Sequence, residues 1–183
     1  MERMSRPASA VTQRESGRVS ERETAAPESF ELFFEAEHPR LLRALYLLSG
    51  NAQEAEEIMQ DAFVAVWERW DRVGPMESPA GYLYRTAMNR FRSRARRAVR
   101  AAREVAGATA PGDAFAAADE RDALARALSR LPERQRAAIV LVELLGYDSD
   151  EAGGILGVKA VTVRSLASQA RSTLRTALED PDA

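Results

Sequence analysis

The side chains of this chain that could do chemistry are mainly arginines, and they fall into two blocks. Residues 81–103 hold eight arginines and no acidic residue, and residues 152–178 hold one lysine and three arginines, again without an acid. The stretches between and before them are acidic, although the net charge is only −2. Two basic blocks in an acidic frame are typical of a protein that contacts a polyanion at two places. A solvated arginine-rich surface remains the alternative for either block alone.

The first basic block has helical spacing. Arg85, Arg92 and Arg96 recur at steps of seven and four, so they share one face of a predicted helix. Three aromatic residues accompany them, namely Tyr82, Tyr84 and Phe91. Aromatic faces beside cations suit unpaired nucleic-acid bases, which can stack on them. The spacing of Tyr84 and Phe91 is, however, more typical of core residues.

The second basic block predicts a helix-turn-helix. A short helix near residues 150–156, a turn at Gly157 and a long helix from about residue 160 to 178 follow each other. Val163, Ala167, Ala170 and Leu174 have the spacing of the buried face of the long helix. Short polar and cationic side chains surround its start, where base edges come within reach: Lys159, Thr162, Arg164, Ser165, Ser168 and Gln169. The alternative for this pattern alone is an ordinary helical hairpin.

Signals for catalysis or metal binding are weak. The chain has no cysteine and one histidine, His38. Glu35 and His38 form a Glu-x-x-His element, but a di-iron helix bundle needs two such elements. A set of carboxylates lies on a predicted solvated helix face without a pocket, namely Glu54, Glu56, Glu57 and Asp61. We therefore predict no catalytic residue, no metal site and no cofactor.

The sequence predicts that all the secondary-structure elements that position these residues are helices. We predict an all-α fold of two small helical domains: residues 28–103, and residues 119–179 with the helix-turn-helix. Residues 1–27 are expected to form a disordered extension and residues 104–118 a flexible linker. The chain has no apolar run long enough to span a bilayer and no secretory signal, so we expect no membrane insertion and a cytoplasmic location.

Local signals predict the boundaries of the first helices. Ser29 caps the first helix and Gly50 ends it, while Pro39 kinks or divides it. Asn51 starts a second helix, whose apolar stripe runs from Ala52 through Trp67 to Trp70. We expect residues 71–79 to form a loop. Ser78 and Pro79 then begin the arginine-rich helix.

Four motifs in order resemble the extracytoplasmic-function sigma factors of the sigma-70 family. Residues 55–67 (AEEIMQDAFVAVW) are similar to the family's polymerase-docking segment, and residues 82–89 (YLYRTAMN) to the segment that follows it. Residues 131–136 (LPERQR) are similar to the entry of the fourth region, and Leu156-Gly157-Val158 with residues 162–165 (TVRS) to its helix-turn-helix. The match covers most of residues 30–178.

The resemblance implies a bacterial alternative sigma factor, which directs RNA polymerase to promoters and catalyses nothing itself. Its implied partners are core RNA polymerase and promoter DNA, both duplex and melted, and an anti-sigma factor is a further candidate. Polymerase would be bound by Glu57, Gln60 and Asp61. The melted minus-ten element would be bound by Tyr82, Arg85, Asn89, Arg92, Arg96 and Arg97. The duplex minus-thirty-five element would be bound by Lys159, Thr162, Arg164, Ser165, Ser168, Gln169 and Arg171.

The sequence departs from the family pattern at several of these places. Tyr82 stands where the family usually has Trp, Ser93 where Asp is frequent, and Leu166 and Gln169 where Arg is frequent. Gly153 and Gly154 lie inside the first helix of the helix-turn-helix, at a cost of about 1 kcal/mol each against alanine. Two other classes remain alternatives: a free-standing helix-turn-helix regulator, and an interaction protein whose acidic helix binds a basic partner.

Overall fold

A computed structural model describes residues 29–104 and 120–179 of the chain. Within these two ranges the regular structure is helical and contains no strand, which confirms the predicted all-α class. The disorder predicted for residues 1–27 and the linker predicted from residue 105 onward lie outside the described residues. The predicted linker boundary is wrong by one residue, since Glu104 is the last residue of a helix.

The first two helices begin and end where local sequence signals predict. Helix α1 spans Phe30–Ser49, and the Ser29 hydroxyl accepts a hydrogen bond from its first turn. Gly50 ends it in the left-handed region, with φ of 71°. Helix α2 spans Ala52–Trp67, and the Asn51 side chain accepts from the backbone N–H of Glu54. Pro39 lies inside α1 and does not divide it.

Between α2 and the arginine-rich helix, the predicted loop is partly wrong. Trp70–Val73 forms a short helix, α3, because the Trp70 ring packs on Phe30 and Phe33 of α1 with centroids 5.4 and 5.0 Å away. Helix α4 then spans Pro79–Glu104, and Ser78 caps it by accepting from the Gly81 N–H. The predicted start of this helix is confirmed.

The second helical group contains the predicted helix-turn-helix. Helices α5 (Glu120–Ser129) and α6 (Glu133–Ile139) come first, and a π-helical turn at Val140–Leu144 extends α6. Helix α7 spans Ser149–Leu156 and α8 spans Ala160–Glu179. Gly157 between them has φ of 67°, which glycine adopts without steric cost. The inward face of α8 is as predicted, with Val163, Ala167 and Ala170 buried.

The structure explains why residue 153 is a glycine, which the sequence alone did not. A Cβ atom at this position would lie 2.7 Å from the carbonyl oxygen of Val158, whereas one at Gly154 would meet nothing within 4 Å. The backbone N–H of Val158 also donates to the Gly153 carbonyl at 3.0 Å. Only glycine therefore allows the chain after α7 to fold back this closely.

The two helical groups pack on each other through α1 and α4. Helix α4 lies against α7, and α1 lies against α5. Two arginines cross between the groups: Arg92 donates to the Leu156 carbonyl at 2.8 Å, and Arg136 to the Leu48 carbonyl at 2.7 Å. Both acceptors are near the C-terminal end of a helix, where carbonyls lack intrahelical donors. Each group thus satisfies backbone acceptors of the other.

Candidate nucleic-acid interface

Helix α4 carries one long polar face. Tyr82, Arg85, Asn89, Arg92 and Arg96 follow each other at steps of three and four, so they line the same side of the helix. Arg85, Asn89 and Arg96 are exposed, whereas Tyr82 is half-buried against the core. Tyr84 and Phe91 are buried, which confirms the core interpretation of these two aromatics. Arg97 is exposed, and its Nε donates to the Ser93 carbonyl at 3.4 Å.

Arg92 differs from its neighbours on this face because it is bonded to the second helical group. Its Nη1 donates to the carbonyl of Leu156, the last residue of α7, and the side chain is half-buried. Burial lowers the pKa of Arg92 from its ordinary value, but a guanidinium stays charged at any physiological pH. In this arrangement Arg92 holds the helix-turn-helix against α4.

Two further arginines of α4 face α2. Arg94 donates to Glu57 at 2.6 Å and to Asp61 at 3.4 Å, and Arg90 forms an ion pair with Asp61 at 3.4 Å. The hydrogen bond from Arg94 lowers the pKa of the Glu57 carboxyl and raises that of Arg94 itself. Two of the three side chains predicted to bind polymerase are therefore already paired within the chain. Gln60, the third, is exposed.

The outer surface of α2 also carries two exposed apolar side chains, Val64 and Trp67. Trp67 was predicted to belong to the buried stripe, but it is 63% exposed, and Val64 is 52% exposed. The buried face of α2 is complete without them, since Ile58, Phe63 and Val66 fill it. Trp67 is the last residue of α2, and among the described residues no other element covers its side chain.

A cleft of about 800 Å³ separates the C-terminal part of α4 from the helix-turn-helix. Arg92, Arg96 and Arg134 line it together with apolar side chains of Leu156 and Leu166. Leu166, which stands where the family frequently has arginine, thus faces α4 and is half-buried. One carboxylate, Glu133, lines the cleft beside these cations and apolar groups.

The start of α8 presents its polar residues to solvent. The predicted base-reading residues that are exposed there are Lys159, Thr162, Arg164, Ser165 and Ser168. Gln169 is exposed too, but it accepts from Gln135 of α6 at 3.0 Å and donates to Ser165 at 3.3 Å. Arg171 pairs with Glu143 at 2.6 Å. The structure therefore places the predicted residues at the start and along the length of one helix. Two of them, Gln169 and Arg171, already contact other side chains of the chain.

Other chemistry is not supported by the described ranges. Residues 29–104 and 120–179 contain no group of three or more His, Asp or Glu side chains arranged to hold a metal ion. His38 stacks on Phe34 of the same helix, with ring centroids 5.0 Å apart. No helix within these ranges is both long enough and apolar enough to cross a bilayer.

Comparisons with known proteins agree with this arrangement. Residues 33–101 match the family model for sigma-70 region 2, and residues 121–174 match that for sigma-70 region 4. The extracytoplasmic-function (ECF) RNA polymerase sigma factor SigM of Mycobacterium tuberculosis is 31% identical over 153 residues, which are 80% of this chain and 75% of SigM. SigE of Mycolicibacterium smegmatis, another ECF sigma factor, is 34% identical over 74% of this chain and 56% of its own length.

A solved structure is similar over both helical groups. It is the sigma factor RpoE of Bartonella quintana in complex with the anti-sigma factor NepR. The TM-score is 0.72 at 25% sequence identity, and the match covers 82% of this chain and 96% of that one.

Proposed function

Because the chain belongs to the ECF sigma factors of the sigma-70 family, we propose that α2 docks it on core RNA polymerase and that α4 and α8 contact promoter DNA. As a member of this family it is an alternative sigma factor that directs transcription initiation. The proposal divides it into a polymerase-binding and minus-ten domain at residues 28–103, a linker at 104–118, and a minus-thirty-five domain at 119–179. It works in the cytoplasm and has no catalytic activity of its own.

The observation that carries the proposal is that two separate helices expose polar and cationic faces. On α4 the face includes Arg85, Asn89 and Arg96, and on α8 it includes Lys159 and Arg164. Arginine and lysine contacts to phosphate dominate the affinity of proteins for nucleic acid, whereas side chains at a recognition helix read base edges. Two such faces on two domains suit two promoter elements. A free-standing regulator with one helix-turn-helix has no use for the face on α4.

For the melted minus-ten element we assign the α4 residues Tyr82, Arg85, Asn89, Arg92, Arg96 and Arg97. Arg92 is bonded to Leu156 in the present arrangement, so it must exchange this carbonyl for phosphate. For the duplex minus-thirty-five element we assign Lys159, Thr162, Arg164, Ser165, Ser168, Gln169 and Arg171. Gln169 and Arg171 must likewise exchange their present partners for DNA.

The polymerase-binding surface is assigned to Glu57, Gln60 and Asp61, and the exposed Trp67 extends it. An exposed tryptophan on a polar helix face is a common anchor of protein interfaces, since it buries a large area with little loss of rotamer freedom. Glu57 and Asp61 retain accessible oxygens despite their pairing with Arg94, because their side chains are 47% and 48% exposed. They can therefore accept hydrogen bonds from a partner while Arg94 holds them in place.

An anti-sigma factor completes the proposed partners. The similar Bartonella protein is described in complex with one, NepR. In this chain the cleft between α4 and the helix-turn-helix is lined by four arginines, one glutamate and several apolar side chains, and this excess of positive charge is compatible with an acidic partner segment. Binding there would keep Arg92 and Arg96 from DNA.

Run-off transcription with purified core polymerase on genomic fragments tests the function. We expect promoter-specific transcripts only when the full chain and core enzyme are both present. A protein that footprints on duplex DNA alone, and neither copurifies with core enzyme nor supports transcripts, would be a free-standing regulator instead.

A set of α2 variants tests the docking surface. We expect Gln60→Ala with Trp67→Ala, and separately Glu57→Gln with Asp61→Asn, to weaken binding to core enzyme by about tenfold or more, as loss of one interface anchor usually does. Arg94→Ala is the matched control, because it removes the ion pairs that Arg94 makes with Glu57 and Asp61 while leaving both carboxylates on α2. If Arg94→Ala weakened binding as much as the carboxylate variants, the carboxylates would act by holding α2 and α4 together rather than by contacting polymerase.

A further inference from the structure

The first turn of α8 exposes one apolar side chain among its polar ones. Val161 is 60% exposed, and its neighbours Lys159, Thr162 and Arg164 are exposed as well. Val163, two residues further on, is fully buried. Because each residue turns a helix by about 100°, Val161 lies roughly 200° from Val163, on the side opposite the core. It shares this outward side with Ser165 and Ser168, one and two turns further along.

Folding gives no reason for valine at this position. Val161 is the second residue of α8, so it has no preceding helical turn to pack against. Most of its side chain is exposed, so it also gains little burial within the chain. The other exposed residues near the start of the helix are polar. A contact outside the chain would give the two methyl groups of Val161 a partner.

The major groove of DNA offers one apolar group to such a side chain. Each base pair presents hydrogen-bond donors and acceptors there, and thymine alone adds a C5-methyl group. Exposed methyl groups at the start of a recognition helix can pack on it, while a neighbouring cation such as Lys159 or Arg164 grips phosphate or guanine. A valine needs no donor or acceptor for this contact.

We propose that Val161 determines specificity by packing on a thymine methyl group in the duplex upstream promoter element. The proposal rests on the proposed function, namely that α8 reads duplex DNA in the complex with polymerase. It adds a residue that is absent from the polar set assigned above, and it names the chemical group that this residue recognises.

The test uses holoenzyme assembled from the full chain and core polymerase. A promoter library first identifies the upstream position at which Val161→Ala relaxes a preference for thymine. Replacing that thymine with deoxyuridine then removes the methyl group and leaves every hydrogen bond in place. We expect wild-type holoenzyme to lose about fourfold in promoter affinity on this replacement, which is the worth of one buried methyl group, and Val161→Ala to lose almost nothing.

Leu32→Ala is the matched control, because Leu32 is an apolar side chain of similar exposure, 56%, on a different helix. It should lose the same fourfold as wild type. Equal deoxyuridine effects in wild type and Val161→Ala, or no thymine preference that Val161→Ala relaxes, would overturn the proposal. Arg164→Ala and Ser165→Ala separate this outcome from failure of the proposed function: if they also leave every promoter preference intact, α8 is not the recognition helix.

Discussion

Helices α4 and α8 look alike in sequence and differ in what their cations do. Both are basic and free of acidic residues along most of their length. On α4, Arg92 bonds to the other helical group and Arg94 bonds to α2, whereas Lys159 and Arg164 at the start of α8 are exposed. The difference follows from packing: α4 lies between α2 and α7, so acceptors face it on two sides. A count of charges therefore overstates the number of α4 arginines that are available to a nucleic acid.

The largest effect expected from this comparison concerns promoter opening. Arg92→Ala with Arg96→Ala should lower open-complex formation about a hundredfold, because two charge-assisted contacts are worth about 3 kcal/mol together. The slope of log affinity against log salt should fall by about 0.7 for each lost contact to single-stranded phosphate. Permanganate footprints and a salt titration measure both.

Arg90→Ala with Arg94→Ala is the control for that experiment. It removes the same charge from the same helix, but on the side that faces α2. The salt slope should stay at its wild-type value. If both double variants changed the slope equally, net charge alone would explain the effect and the α4 face would have no special role.

A smaller effect, on stability, is expected from replacing Arg136, which connects the second helical group to α1. Arg136 donates to the carbonyls of Leu48, Ser129 and Leu131, and burial lowers its pKa. Arg136→Ala leaves these partly buried acceptors without a donor, so urea unfolding should show a loss of about 2 kcal/mol. Arg171→Ala breaks only an exposed pair with Glu143 and should cost less than about 1 kcal/mol. Similar losses for the two variants would contradict a bridging role for Arg136.

Alanine substitutions at the two glycines of α7 should change the stability of the domain in opposite directions. Gly153→Ala places a Cβ against the Val158 carbonyl, and such overpacking costs about 1 kcal/mol or more. Gly154→Ala meets open space and should stabilise the domain by up to about 1 kcal/mol, because alanine is the better helix former. Thermal unfolding of the two variants measures the difference. Stabilisation by Gly153→Ala would mean that the turn before α8 is looser than described.

The smallest expected effect is a pKa change on α2. Arg94 lowers the pKa of Glu57 through a hydrogen bond, so Arg94→Ala should raise this pKa toward its ordinary value. A lowered carboxyl pKa contributes stability that is present above the ordinary pKa and is lost as the pH falls through the folded-state pKa. This contribution should shrink in Arg94→Ala. NMR titration of Glu57 measures the shift, and Arg90→Ala, which does not touch Glu57, should leave it unchanged.

The sequence by itself determined the longer helices and their order, but not the short helix α3. Caps act on the turn beside them, so Ser29, Asn51 and Ser78 mark helix starts, and Gly50 and Gly157 mark ends, from local residue types alone. The buried faces of α4 and α8 follow from the same short-range periodicity. The motifs that resemble ECF sigma factors are also local, and the comparisons confirm the family.

Only the tertiary structure decided which side chains are paired and which are exposed. Arg94 meets Glu57 across 37 residues of sequence, Arg92 meets Leu156 across 64, and Arg136 meets Leu48 across 88. No local pattern encodes such pairs, because they depend on how whole helices pack. The same holds for Trp67, which no element within residues 29–104 and 120–179 covers, and for Gly153, whose lack of a side chain matters only where the chain after α7 folds back against it.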